Sequence, residues 1–138
     1  MSISAEVPDW NREKKARWSW DPSRALLRSI RDYQSASGLL MSPRRKYASV
    51  RHKFWSAVAG ADIPINSAIG GGLLLPHPNG IVIHPDAKIG CNCLIFQQVT
   101  IGATSKGVPA IGGHVDIGAG AKIVGPVTVG DHARIGAK

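Results

Sequence analysis

His77 stands between two prolines in the segment Pro76-His77-Pro78-Asn79-Gly80. Each proline locks its own φ and restricts the residue before it, and Asn-Gly is a pair that closes turns. The segment therefore presents one imidazole on a stiff, outward turn. Asp62 lies a short way upstream in the chain. A carboxylate bonded to one ring nitrogen fixes the tautomer and leaves the other nitrogen as a base. Proton abstraction from a weak acid such as a hydroxyl is the chemistry this pair offers; a plain surface histidine in a turn is the alternative. The remaining histidines offer less. His84 is near enough to line an acceptor pocket, His114 and His132 fall at solvent-facing turns, and His52 belongs to a helical segment. No spacing brings three histidines together with the convergence a zinc site needs, so no metal is expected. Cys91 and Cys93, two apart, suit neither a disulfide framework nor a four-ligand zinc site. One buried small residue and one surface thiol are expected there.

The elements that must carry these groups announce themselves by period. Aliphatic residues recur at Ile63, Ile69, Leu75, Ile83, Ile89, Ile95, Ile101, Ile111, Ile117, Ile123, Val129 and Ile135. Nearly every interval is six; the exceptions are eight residues from Leu75 to Ile83 and ten from Ile101 to Ile111. Glycine often follows the aliphatic residue, and a small or β-branched residue stands four positions after it. A fixed short period outranks local propensity as evidence of fold. Six is too short for a helical pattern and too regular for a meander. It fits a triangular parallel β-helix in which each hexad gives one short strand and one turn, three hexads complete a coil, and residues 61–138 make roughly four coils. Aliphatic side chains fill the centre of such a prism, so chemistry belongs to turns, insertions and grooves between subunits. His77 lies in the first insertion, and Asp62 precedes it by close to one coil.

Residues 1–60 differ in character. They hold 12 Lys/Arg against 5 Asp/Glu, whereas residues 61–138 hold 5 against 4, so the chain's net charge of +8 belongs almost wholly to this arm. No nucleic-acid-binding motif accompanies the charge, and a solvated basic arm is expected rather than a nucleic-acid surface. Two helices are expected: one from Pro22 to Tyr33, capped by Asp21 or Ser23, and one from after Pro43 to Gly60, broken from the first across Ser35–Gly38. Tyr47, Val50, Phe54, Trp55 and Val58 lie along one side of the second and read as a packing surface. No apolar run approaches the ~20 residues of a membrane span, and the polar N-terminus lacks the apolar core of a signal peptide. A cytoplasmic protein with no membrane partner is the expectation.

The motifs Ala61-Asp62-Ile63-Pro64, Gly70-Gly71-Gly72-Leu73, His77, Gly80-Ile81-Val82-Ile83, Gln98-Val99-Thr100-Ile101-Gly102 and Ile117-Gly118-Ala119-Gly120-Ala121-Lys122-Ile123 resemble the serine acetyltransferase family in order and spacing, over about residues 45 to 138. The resemblance implies left-handed coils. It implies an acetyl-CoA-dependent O-acetyltransferase of cysteine biosynthesis with L-serine as acceptor, no permanently bound cofactor, and a homotrimer. By the same resemblance His77 is the general base, Asp62 orients it, and Ala103, Thr104, Ala119 and Ala137 contact coenzyme A in a groove between prisms.

The sequence departs from the family pattern in three places. Pro76 stands where the family has Asp before the catalytic histidine. Gly107-Val108 precede Pro109 where an Arg-His pair is usual, in a shorter loop; the missing groups are ones that hold serine's amino and carboxylate groups. The helical N-terminal region is abbreviated, and Lys138 falls four residues into a hexad, which suggests truncation. An acetyltransferase for a sugar hydroxyl, and a truncated non-catalytic trimeric remnant, are the rival readings.

Overall fold

Every sixth residue turns inward, and the chain winds accordingly. In the computed structural model, which describes residues 2–36 and 41–138, ten short strands form three parallel faces. Face one carries β2 (Val82–Ile83), β5 (Thr100–Gly102) and β8 (Lys122–Val124); face two carries β1 (Ala68–Ile69), β3 (Lys88–Ile89), β6 (Ala110–Ile111) and β9 (Thr128–Val129); face three carries β4 (Leu94–Ile95), β7 (Asp116–Ile117) and β10 (Arg134–Ile135). Single bridges from Asp62 to Val82 and from Leu74 to Leu94 add a first rung to faces one and three, so each face has four rungs.

Register shows what the two insertions do. Where the hexads are unbroken, one coil separates stacked residues, as in Ala110 on Thr128. Across the first insertion the offset grows by two, with Ala68 on Lys88; across the second it grows by four, with Lys88 on Ala110. Both insertions therefore loop out of the coil and leave isoleucine on isoleucine: Ile69, Ile89 and Ile111 form one column, Ile83, Ile101 and Ile123 another. Ile63, Ile81, Ile95, Ile101, Ile117, Val99 and Val115 are fully buried. Each such side chain contributes about 1.5–3 kcal/mol by leaving water.

Helix α1 (Pro22–Ser35) starts at Asp21, whose carboxylate accepts from the Arg24 N–H. Its apolar line, Leu26, Leu27 and Ile30, joins the prism's own core, so α1 plugs the open lower end of the solenoid. Arg31 donates to the carbonyls of Ile69 and Gly70, and Gln34 to those of Ile65 and Ser67. Helix α2 (Met41–Ala59) lies against α1 and ends at Gly60, whose φ of +68° lets the Ala61 N–H reach back to the Ser56 carbonyl in a glycine C-terminal cap. Of the break expected across Ser35–Gly38, Ser37 and Gly38 lie outside the described residues.

Two expectations need correction. Of the stripe on α2 only Trp55 packs against the core; Tyr47, Val50, Phe54 and Val58 are exposed, because the helix buries the line through Ala48 and Ala59, with His52 bonded to the Ile63 carbonyl. Cys91 is no surface thiol; it is buried beneath the N-terminal segment and donates to the Ala5 carbonyl. Cys93 faces the core, where burial pushes its thiol up to about 11 and keeps it protonated near neutrality.

The N-terminal segment is a strap laid along one corner of the prism. Asn92 accepts from the Asp9 N–H and donates to the carbonyls of Ser4 and Val7. Arg12 donates to the carbonyls of Gly72, Asn92 and Cys93. Glu13, almost buried, accepts from the N–H groups of Gly72 and Leu73 and pairs with Arg31 at 2.8 Å. A side chain at Gly113 would strike the Ala5 carbonyl. Removing one partner of a buried ion pair strands the other, so Glu13→Ala should lower the unfolding free energy by about 3 kcal/mol, read as a fall in the urea midpoint at unchanged slope.

Candidate active site

The first insertion places His77 where the prism meets the helices. The turn 76–80 stacks on the end of α2: the Gly80 N–H donates to the Gly60 carbonyl at 2.8 Å, and the Asn79 carbonyl accepts from Gln98 one coil above. Gly80 has a φ of +77°, a conformation that favours glycine. Held on both sides in this way, the turn leaves the His77 side chain exposed over a cleft of about 420 Å³. The opposite wall comes from the chain that leads into α1, through Trp20, Asp21 and Ser23, and from Val58 at the end of α2.

Asp62 is also exposed, on the same edge of the prism. Its backbone pairs with face one: its N–H donates to Ile81 and its carbonyl accepts from Ile83. The first insertion lengthens its circuit, so Asp62 stacks under Val82 rather than under His77. No hydrogen bond joins its carboxylate to the imidazole in this chain, contrary to what the near-coil spacing suggests. The two share one neighbourhood, Asp62 just beyond Gly60 and His77 just before Gly80.

Asp21 is the acid that sequence reasoning missed here. Burial pushes its carboxyl up, but bonds from the Arg24 guanidinium at 2.8 Å, the Arg24 N–H and the Ser23 hydroxyl, together with the Arg24 charge, outweigh burial and hold it below the ordinary value. Asp21 is thus ionised at neutral pH and sets a carboxylate, paired with Arg24, on the cleft wall. Only its role as a helix cap was legible, since nothing local in the sequence says that residues 20–23 fold back onto residues 76–79.

The four small residues expected to contact coenzyme A fall in two places. Ala103 and Thr104 follow β5, and Thr104 closes the second insertion with a two-way backbone pair to Gly107, at 2.9 and 3.2 Å. Ala119 follows β7 at another corner, and Ala137 stacks directly on it through the Lys138 N–H to the Ala119 carbonyl at 2.9 Å. The two pairs thus flank opposite edges of face one. His84 shares the corner of Ala103 and Thr104, its Nδ1 accepting from the Asp86 N–H; it is not among the residues lining the His77 cleft.

The coiled faces and an insertion that carries a lone histidine define a hexapeptide-repeat protein. No protein-family model matches the chain. The serine acetyltransferase of Mycobacterium tuberculosis is 32% identical over 115 residues, which are 80% of this chain and 50% of that protein. The structure of serine acetyltransferase isoform 3 from Entamoeba histolytica, in complex with cysteine, superposes with a TM-score of 0.69 at 33% identity, covering 84% of this chain and 42% of that one. That of the Brucella abortus serine acetyltransferase in complex with coenzyme A superposes with a TM-score of 0.69 at 30% identity, over 84% and 47%. The chain belongs to the serine acetyltransferase family, and it spans about half the length, or less, of these relatives.

The arginine beside Asp21 makes the electrostatics testable. Arg24→Ala removes the guanidinium bond and its charge but leaves the burial, the backbone N–H bond and the Ser23 hydroxyl, so the Asp21 carboxyl should titrate at higher pH, as followed by carboxyl NMR. In the intact chain its depressed value contributes stability that is present above the ordinary carboxylate range, about 3.9, and is lost as pH falls through the folded value. An unmoved titration in the variant would show that Arg24 does not hold the carboxylate.

Proposed function

We propose that this chain is an acetyl-CoA-dependent O-acetyltransferase acting on L-serine, with His77 as its general base. The observation that carries this reading is an exposed imidazole on a turn stiffened by two prolines, facing a cleft whose far wall bears the ionised Asp21. In the step we envisage, His77 takes the proton of the acceptor hydroxyl while the oxygen bonds to the thioester carbonyl carbon. The carbon–sulfur bond then breaks, and the departing thiolate receives the proton from the imidazolium. Asp62, two residues beyond the Gly60 carbonyl that receives the Gly80 N–H, would orient the ring and offset its charge. The relatives that hold coenzyme A and cysteine support a pantetheine thioester as donor and a small amino acid as acceptor.

Asp21 bears on the acceptor. Pro76 and Val108 remove two groups that would hold a zwitterion, and the carboxylate of Asp21 offers a counter-charge to an ammonium from the other side of the cleft. The same two replacements favour a neutral sugar hydroxyl as the second reading, and turnover with each acceptor separates the two.

The division of the four small residues between two corners supports a homotrimer. One prism's Ala103 and Thr104 would meet the next prism's Ala119 and Ala137 across a shared groove, where their small side chains let the pantetheine approach the backbone. Two free cysteines, Cys91 and Cys93, fit a reducing compartment, and we assign the working site to the cytoplasm. No described helix is long and apolar enough to cross a membrane.

General-base assistance is typically worth about 10²–10⁴-fold. His77→Ala should therefore lower kcat by about that factor and leave coenzyme A binding unchanged, measured by steady-state thiol release and by calorimetry. Asp62→Asn should cost less, and Asp21→Asn should raise the serine KM more than it lowers kcat. Near-full activity in His77→Ala would remove the base from the account.

A further inference from the structure

His114 and His132, which look like unrelated surface turns in the sequence, come together at one corner of the prism. Each occupies the corner position of its coil in the left-handed region, with φ of +51° and +63°. They sit in one column above Gly72 and Asn92, whose φ values are +83° and +59°. The backbone locks both: the His114 N–H donates to the Cys91 carbonyl at 2.8 Å and the His132 N–H to the Gly113 carbonyl at 2.9 Å. Two imidazoles one rung apart therefore leave the corner side by side. Their rings lie 5.0 Å apart at 75°, and their Nδ1 atoms face each other at 2.7 Å.

Two neutral rings satisfy this contact when one Nδ1–H donates to the lone pair of the other. Both Nδ1 atoms are then aimed at one point in space, which is also the arrangement of a chelate. A metal bound tetrahedrally at about 2.0–2.1 Å holds its nitrogens about 3.3 Å apart. The rings need open by only about 0.6 Å, a small rotation for side chains at an exposed corner. Both rings then carry their protons on Nε2, so a metal ion replaces the shared hydrogen with no net change in protonation. The carboxylate of Asp131, adjacent in the chain and bonded to the Gly113 N–H at 2.8 Å, sets negative charge beside the pair.

We propose that His114 and His132 form a two-point binding site for a divalent late transition metal, Zn²⁺, Ni²⁺ or Cu²⁺, that clips the last two coils together. Paired imidazoles select these ions over Mg²⁺ and Ca²⁺, which require oxygen ligands. Among the described residues no group of three or more His, Cys, Asp or Glu side chains is placed to hold a metal, so water completes the coordination and Cu²⁺ binds more tightly than Ni²⁺ or Zn²⁺. A cross-link from His114 to His132 ties one coil to the next.

The fold supplies its own control, because Asn92 occupies the same corner position one coil below with the same left-handed backbone. Asparagine tolerates that conformation, so His114→Asn and His132→Asn should fold as the parent does. The test is calorimetric titration of the untagged chain, bearing no added histidines, with Ni²⁺ and with Cu²⁺, alongside thermal unfolding with and without metal. The parent should take up one ion per chain and gain several degrees in Tm. Each single Asn variant, with an unchanged metal-free melt, should bind at least about tenfold more weakly, the loss that even an outer-shell change produces, and should lose the Tm gain. Equal binding by parent and variants would place the metal elsewhere and overturn the proposal, as would a parent that takes up no ion.

Discussion

The stacking of one parallel rung on the next is the constraint from which the rest follows. Backbone bonds between coils require each strand to lie over its predecessor, and inward isoleucines require that it do so in phase. A slip of one residue would turn every inward side chain outward. The register kept across both insertions shows how the chain accommodates extra residues: it ejects them at a corner and resumes the column. A rule so strict about the faces leaves the corners as the places where sequence varies without cost to the core. The His77 turn, the Thr104–Gly107 turn and the His114–His132 column all sit at corners.

Corners alone would leave the histidine in open solvent. The helices change that, because the same end of the prism that needs a plug also carries the first insertion. Leu26, Leu27 and Ile30 close the core, and the chain leading into that helix comes to lie opposite the His77 turn. Capping the solenoid and walling the cleft are thus one structural act. Asp21 joins them physically, as N-cap of α1 and as a charge on the cleft wall. The strap formed by Ser4 to Glu13 extends the same logic upward, with Arg12 and Glu13 satisfying backbone groups that a bare corner would leave to water.

Much of this was legible in the sequence because it depends on period. The inward column from Ile63 to Ile135, the two- and four-residue insertions and the position of His77 outside the repeat all follow from counting. What stayed hidden depends on contacts between residues far apart in the chain. Asn92 is buried and binds three backbone groups of the strap, a role that no repeat interval marks. Tyr47 and Phe54 read as a packing surface by their helical spacing, but spacing reports that a stripe exists and not which of two stripes the helix buries. Asp21 read as a cap and nothing more. His114 and His132 are separated by one unbroken coil, so their meeting was within reach of the period once the corner position was recognised.

The central claim is that the coil carries the fold and the residues ejected from it carry the chemistry. Deleting Pro78 and Asn79 tests it most directly, because it restores the six-residue interval between Leu75 and Ile83 while keeping His77. Circular dichroism with thermal unfolding, and acetyl-CoA turnover with serine, would be measured on the same preparation. The account predicts a cooperative melt close to the parent's and turnover reduced to background. Turnover near the parent's, or a chain that no longer folds, would contradict it.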